Sequence, residues 1–122
     1  MPYLHRLVFV IALMFCAQAA LSADFTAADA TELSAAIDSA NGNGEADTIT
    51  LTASTTYTFS TVDNSTDGDN GLPSITTDIT ITGNGAIIER SPTAVDDFRL
   101  FHVAGTGALT LTDVTVTRGV EV

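Results

Sequence analysis

The chain has 122 residues, which limits it to one small domain. Four Lys/Arg residues against fifteen Asp/Glu give a formal net charge of −11, and an excess of that sign repels phosphate backbones and anionic bilayer surfaces. Nucleic-acid binding is thereby disfavoured. The acidity reads first as a solvated surface that keeps an extracellular protein in solution, and second as a place for cations.

The amino terminus has the order of a secretory leader. Residues 1–6 form a short n-region made positive by Arg6, and residues 7–17, LVFVIALMFCA, are apolar. Ala17-Gln18-Ala19 is a small-x-small cleavage site, with Ala20-Leu21-Ser22 as a second one. A transmembrane anchor is the alternative, but crossing about 30 Å of hydrocarbon takes roughly 20 apolar residues, and this run is shorter. A lipid-modified Cys16 is disfavoured by the bulky Phe15 before it. We therefore assign residues 1–19 to a signal peptide. Its removal takes away Cys16, the single cysteine, so that no disulfide staples the mature chain. What is left carries three arginines, no lysine and fifteen acids, a formal net charge of −12.

Residues 20–46 read as a lead-in and a capping helix. Leu33, Ala36, Ile37 and Ala40 recur at i, i+3, i+4 and i+7, which predicts an amphipathic helix over 31–40. Asp29 or Thr31 can cap its first turn, Glu32 suits the positive end of its dipole, and Asn41-Gly42 is expected to close it. Ten residues form a marginal helix alone in water. Burial of Leu33 and Ile37, about 1.5–3 kcal/mol each, has to come from packing on something apolar.

That partner follows in residues 47–122. Thr48–Thr52 alternates, with Ile49 and Leu51 on one side and threonines on the other, and Tyr57 and Phe59 continue the pattern. Period two with β-branched residues predicts strands with one buried side. A polar loop, VDNSTDGDNGLP, occupies residues 62–73. Ile79 and Ile81 again face opposite to Thr80 and Thr82, and Gly83-Asn84-Gly85 is expected to be a tight turn using positive φ. Short strands are predicted over 86–89, over 100–103 with Phe101 and Val103 on one side, over 109–111 and over 114–116, with a second polar insertion at 91–97. Ile79–Ile81 and Leu109–Leu111 are equivalent after thirty residues. Strands this short, joined by Gly, Asn and Asp corners, suit a coil that stacks on itself, with inward aliphatics in columns and outward threonines in ladders. An antiparallel meander is the alternative, but it calls for two-residue Asn-Gly hairpins between longer strands.

The residues L-x-x-A-I-x-x-A-N (33–41), D-T-I-x-L (47–51), N-G-L-P-x-I (70–75), D-I-T-I-x-G-N-G-A-x-I-x-R (78–90), F-R-x-F-H-V (98–103) and L-T-L-x-x-V-T-V-x-x-G (109–119) resemble the N-terminal region of secreted bacterial right-handed parallel β-helix repeat proteins. Those are large surface proteins of the polymorphic outer-membrane-protein-like or adhesin-like kind. The resemblance implies an all-β fold, the start of a right-handed parallel β-helix (a solenoid) with an N-terminal capping α-helix. It also implies a secreted or outer-surface location, and host or cell-surface glycans or proteins as partners. It further implies that residues 47–122 are first rungs of a longer coil that is truncated here, the competing reading being that the edge left exposed by the last strand pairs with a partner chain.

Candidate chemistry is sparse. Asp63, Asp67 and Asp69 open a pattern similar to a calcium loop, D-x-[DNS]-x-D-G, but Ser74 stands where a bidentate Glu is needed. A solvent loop of Asx turns is the competing reading. A lyase on this fold needs clustered Asp and an Arg or Lys base. Arg90, Arg99 and Arg118 stand near strand ends, with Asp96 and Asp97 close to Arg99, but surface ion pairs account for all of them. His102 is expected to be an exposed strand residue, and no nucleophilic triad is legible. Asn64-Ser65-Thr66 fits a glycosylation sequon, of little meaning in a bacterial-looking chain. The sequence thus points to a non-catalytic structural segment with no cofactor and no catalytic or metal-binding residue. The alternative is a piece of a carbohydrate-active enzyme of the same architecture whose active rungs lie elsewhere.

Overall fold

The computed structural model describes residues 22–121. The leader assigned to residues 1–19 lies outside them. The elements in chain order are β1 (Asp24–Ala27), α1 (Ala30–Gly42), β2 (Asp47–Leu51), β3 (Thr56–Phe59), β4 (Asp78–Arg90) and β5 (Ala108–Thr117). Every strand pairing is parallel. The fold is mostly strand with one helix, and its single sheet is curled.

The pairing follows the repeat. In the first layer of strands Phe25 pairs with Ile49, Ile49 with Ile81, and Ile81 with Leu111. The expected thirty-residue equivalence of Ile79 with Leu109 and of Ile81 with Leu111 is the observed register. Threonines on the opposite side form a second column, Thr26, Thr50, Thr82 and Thr112. Around the corner β3 and the ends of β4 and β5 form another layer, in which Tyr57 pairs with Ile88 and Ile88 with Val116. Isolated parallel bridges from Asn70 to Arg99 and from Ile75 to Val103 make a third contact of the same kind.

The core lies inside this curl. Ile49, Tyr57, Leu72, Ile75, Ile79, Ile81, Ile88 and Phe98 are fully buried. Tyr57 brings a hydroxyl with it, which donates to the Ala27 carbonyl at 2.5 Å and accepts from the Thr52 amide at 2.9 Å. A buried phenol without such partners would be destabilising.

Several elements differ from the sequence expectation. The stretch 86–89 is not a separate strand: β4 runs unbroken for thirteen residues through Gly83-Asn84-Gly85, with only a register shift against β5 between Thr82 and Ala86. The corner survives inside the strand because it is itself stacked. The Ser54 amide donates to the Asn84 carbonyl at 3.2 Å, and Asn84 Nδ2 donates to the Leu51 carbonyl at 3.1 Å. Ser54, Asn84 and Asp113 all hold positive φ, at 54°, 51° and 51°, a region that Asn and Asp tolerate better than most residues. Gly83 is needed for closeness, since a Cβ there would meet the Asp113 carbonyl oxygen at 2.4 Å. The stretches 109–111 and 114–116 likewise merge into β5.

The lead-in also contains a strand, β1, whose D-F-T-A alternates as β2 does. The stretch 100–103 is not a regular strand: it joins the previous pass through isolated bridges at the flanking Arg99 and at Val103 and through the Leu72 amide, which donates to the Leu100 carbonyl at 3.2 Å. Burial falls on Leu100 and on Phe98 just before the stretch, while Val103 is 43 % exposed although it stands in register with the buried Ile75.

Helix α1 starts one residue before the expected point. Asp29 is the N-cap, its Oδ1 accepting from the Glu32 amide at 2.8 Å, and Glu32 reaches back to accept from the Ala28 amide at 2.6 Å. Gly42 does not close the helix. It is helical, Asn43 caps it in right-handed conformation, and the left-handed residue is Gly44, at φ 70°. The two added residues at this end place Asn41 in the last turn, from which it reaches the chain beyond the polar loop. Its Nδ2 donates to the Ser74 carbonyl at 2.8 Å, and its Oδ1 accepts from the Thr76 amide at 2.9 Å. Leu33, Ala36, Ile37 and Ala40 are buried, as the periodicity predicts.

Candidate functional site

The densest polar structure is the loop 62–73 with the residues that dock it. Asn70 is fully buried and sits at its centre. Its Nδ2 donates toward Asn64 Oδ1 at 3.0 Å and toward the carbonyls of Thr66 and Gly68 at 2.9 Å each. Arg99, from the next pass of the chain, donates from Nε to Asn70 Oδ1 at 3.1 Å and from Nη2 to the carbonyls of Thr66 at 3.2 Å and Asp67 at 2.6 Å. The loop is therefore wrapped around an amide and a guanidinium. Converging carbonyls that could surround a cation already hold a positive side chain.

The three loop carboxylates diverge. Asp63 accepts from Asn64 Nδ2 at 3.0 Å, Asp69 accepts from the Ser65 hydroxyl at 2.6 Å, and Asp67 faces His102. Among the described residues no three His, Cys, Asp or Glu side chains gather to hold a metal. The calcium-loop pattern at Asp63, Asp67 and Asp69 thus folds into a different arrangement, since Arg99 pins the backbone whose bend the pattern requires.

His102 is not the exposed strand residue expected. Its side chain is 11 % exposed, with Nε2 3.2 Å from Asp67 Oδ2 and Nδ1 3.0 Å from Ser74 Oγ. With the proton on Nε2, the imidazole donates to the carboxylate and accepts from the hydroxyl. A Ser–His–Asp chain of hydrogen bonds, illegible in the sequence, is assembled by stacking one pass on the previous one. Its geometry is that of a latch. The two amides following Ser74 are taken up inside the fold, Ile75 N–H by the His102 carbonyl at 2.8 Å and Thr76 N–H by Asn41. They do not point together at a developing oxyanion. The Asp67 side chain is 83 % exposed, so its charge is solvated.

The remaining arginines also find structural partners. Arg90 pairs with Asp97 at 2.9 Å, donates to the Asp96 carbonyl, and lies over the Phe98 ring at 5.3 Å. Asp96 and Asp97 therefore serve Arg90, not the Arg99 that neighbours them in sequence. Arg118 reaches Glu89 at 3.5 Å.

One open cleft of about 490 Å³ lies beside this loop, lined by Thr31 and Ser34 of α1, by residues 58–63 and by Gly71. Asp38, on the same helix, has its carboxyl pushed above the usual range by partial burial and by the nearby Asp63 carboxylate. Among the described residues no helix is long and apolar enough to cross a membrane. No protein-family model, curated protein or solved structure matches the chain.

Proposed function

We propose that this chain is the N-terminal cap and the first rungs of a secreted or surface-displayed right-handed parallel β-helix protein. Its role is structural and non-catalytic: it starts the coil and presents the loop 62–73 outward. The partners that fit this role are surface glycans or proteins. The observation that carries the reading is the repeated in-register parallel pairing, Ile49 on Ile81 on Leu111 and Tyr57 on Ile88 on Val116. The packing of α1 against β1, β2 and β3 supports the capping role, since a helix laid over a sheet edge blocks pairing with another chain. The hydrogen bonds that Arg99, Asn70 and His102 make within the fold support a display loop over a reacting site.

The test has two arms. Purified protein, with the loop intact or with its exposed residues 65–67 replaced by Gly/Ser so that the buried Asn70 and Leu72 stay in place, is applied to a glycan array and to cell surfaces. Retention that depends on the loop, at equal folding by circular dichroism, is the expected result. Degradation of any acidic polysaccharide by the intact chain would overturn the non-catalytic reading. An experimental structure with a left-handed coil would overturn the architecture.

A further inference from the structure

Asp47, the first residue of β2, is 2 % exposed. Its Oδ1 accepts from the backbone N–H of Ala23 at 3.0 Å and from Asn43 Nδ2 at 2.9 Å. Its Oδ2 is buried and has no hydrogen-bond partner among the described residues. A buried carboxylate oxygen left without a donor is destabilising, and among the described residues the site is one donor short. The nitrogen beside it belongs to Ala23, which is tightly placed. Its carbonyl accepts from the Thr48 amide at 3.1 Å, and β1 begins at the following residue in register with β2. A peptide N–H brings one proton and no charge. An α-ammonium at the same position brings three protons and a full positive charge, enough to serve both carboxylate oxygens.

The sequence offers the means to make that ammonium. Ala20-Leu21-Ser22 puts small residues at the third and first positions before the Ser22–Ala23 bond, the pattern that leader-cleaving peptidases read. We propose that the leader is removed between Ser22 and Ala23, and that the α-ammonium so released forms a buried ion pair with Asp47 that locks β1 onto β2. In the hydrolysis, the water oxygen bonds to the Ser22 carbonyl carbon as the C–N bond to Ala23 breaks. The nitrogen takes one proton from that water and a second from solvent. Cleavage after Ala19 would leave residues 20–22 attached and a neutral amide facing Asp47. The proposal rests on the secretory reading of the leader, and makes processing a step in completing the fold.

The full chain, leader included, is expressed in a secreting bacterial host, and the exported product is read by intact mass and N-terminal sequencing. Ala23 as first residue is the expected result. A product starting at Ala20 overturns the proposal but leaves the secretory reading standing, and an uncleaved product overturns both. The ion pair has its own readout, because the chain contains no lysine and an amine-reactive ester therefore has the α-amine as its one amine target. In the exported protein, acetylation is expected to be about ten- to a hundredfold slower in the native state than in denaturant, as a charge-assisted pairing of this kind implies. Asp47→Asn is expected to abolish much of that protection. Equal rates in native and denatured protein would overturn the ion pair, whether or not the variant folds.

Discussion

Asn70 and Arg99 show how a loop of acidic and small residues is organised by side chains alone. Arg99 meets three acceptors of the loop, one of them the Oδ1 of a fully buried asparagine. Arg99→Ala removes the donor and leaves that oxygen unpaired, at a cost of about 1–3 kcal/mol in denaturant unfolding. Arg99→Lys should recover little of it, since a single ammonium cannot span the acceptors that the guanidinium reaches. Added calcium or chelator should leave the melting temperature unmoved, because Asp63, Asp67 and Asp69 point to separate partners.

Asp38 illustrates the opposite case, a carboxylate held near another carboxylate, that of Asp63. Its folded-state pKa is raised, first by partial burial and then by Asp63. A raised value means that the folded state binds the proton more readily than the unfolded chain. The stability this contributes is present below the ordinary carboxylate range and is lost as pH rises through the folded value. Asp38→Asn should therefore raise the melting temperature at neutral pH, with a gain that shrinks on acidification and, because the group is largely exposed, in high salt. Thermal unfolding at pH 7 and at pH 3 checks the sign.

At the scale of elements, α1 illustrates what periodicity can and cannot say. The stripe Leu33, Ala36, Ile37 and Ala40 was readable because burial on one side imposes the 3.6-residue period, and those four residues are buried. The end of the helix was not readable. Asn41-Gly42 looks like a stop, yet Asn41 is held by acceptors and donors at Ser74 and Thr76, more than thirty residues away. Ile37→Ala should cost about 2–5 kcal/mol, since Ile37 is fully buried among the core side chains. Loss of the helical signal together with the sheet signal in one transition, followed by circular dichroism, would show the helix and sheet unfolding as one unit.

At the scale of the whole molecule, position along the stack sets the energetic weight of each residue. Ile81 and Leu111 are neighbours in one column, similar in size and in strand environment. Ile81 is fully buried, covered by Ile49 on one side and Leu111 on the other, whereas Leu111 is 39 % exposed. Ile81→Ala should cost about 2–5 kcal/mol, and Leu111→Ala less than about half as much, because part of the latter side chain never leaves water. Equal costs in urea unfolding would contradict the columnar packing. Val116, 41 % exposed beside the buried Ile88, and Val103, 43 % exposed beside the buried Ile75, repeat the gradient in the other two layers.

The sequence alone specified the period of the strands, the buried side of Ile49, Leu51, Tyr57, Phe59, Ile79 and Ile81, and the thirty-residue register of Ile79 on Leu109, though not the side faced by Val103. It could do so because alternation is imposed locally, by the two-residue repeat of an extended chain, and because identical patterns pair best in register. The partners of the polar groups, by contrast, were set by how successive passes of the chain stack. Asn70 with Arg99, His102 between Asp67 and Ser74, and Asp47 with Ala23 join residues that are 24 to 35 positions apart. Hydrogen bonds have no sequence period. They follow from which atoms the stacking brings within reach, and a shift of one residue in register would exchange every one of them.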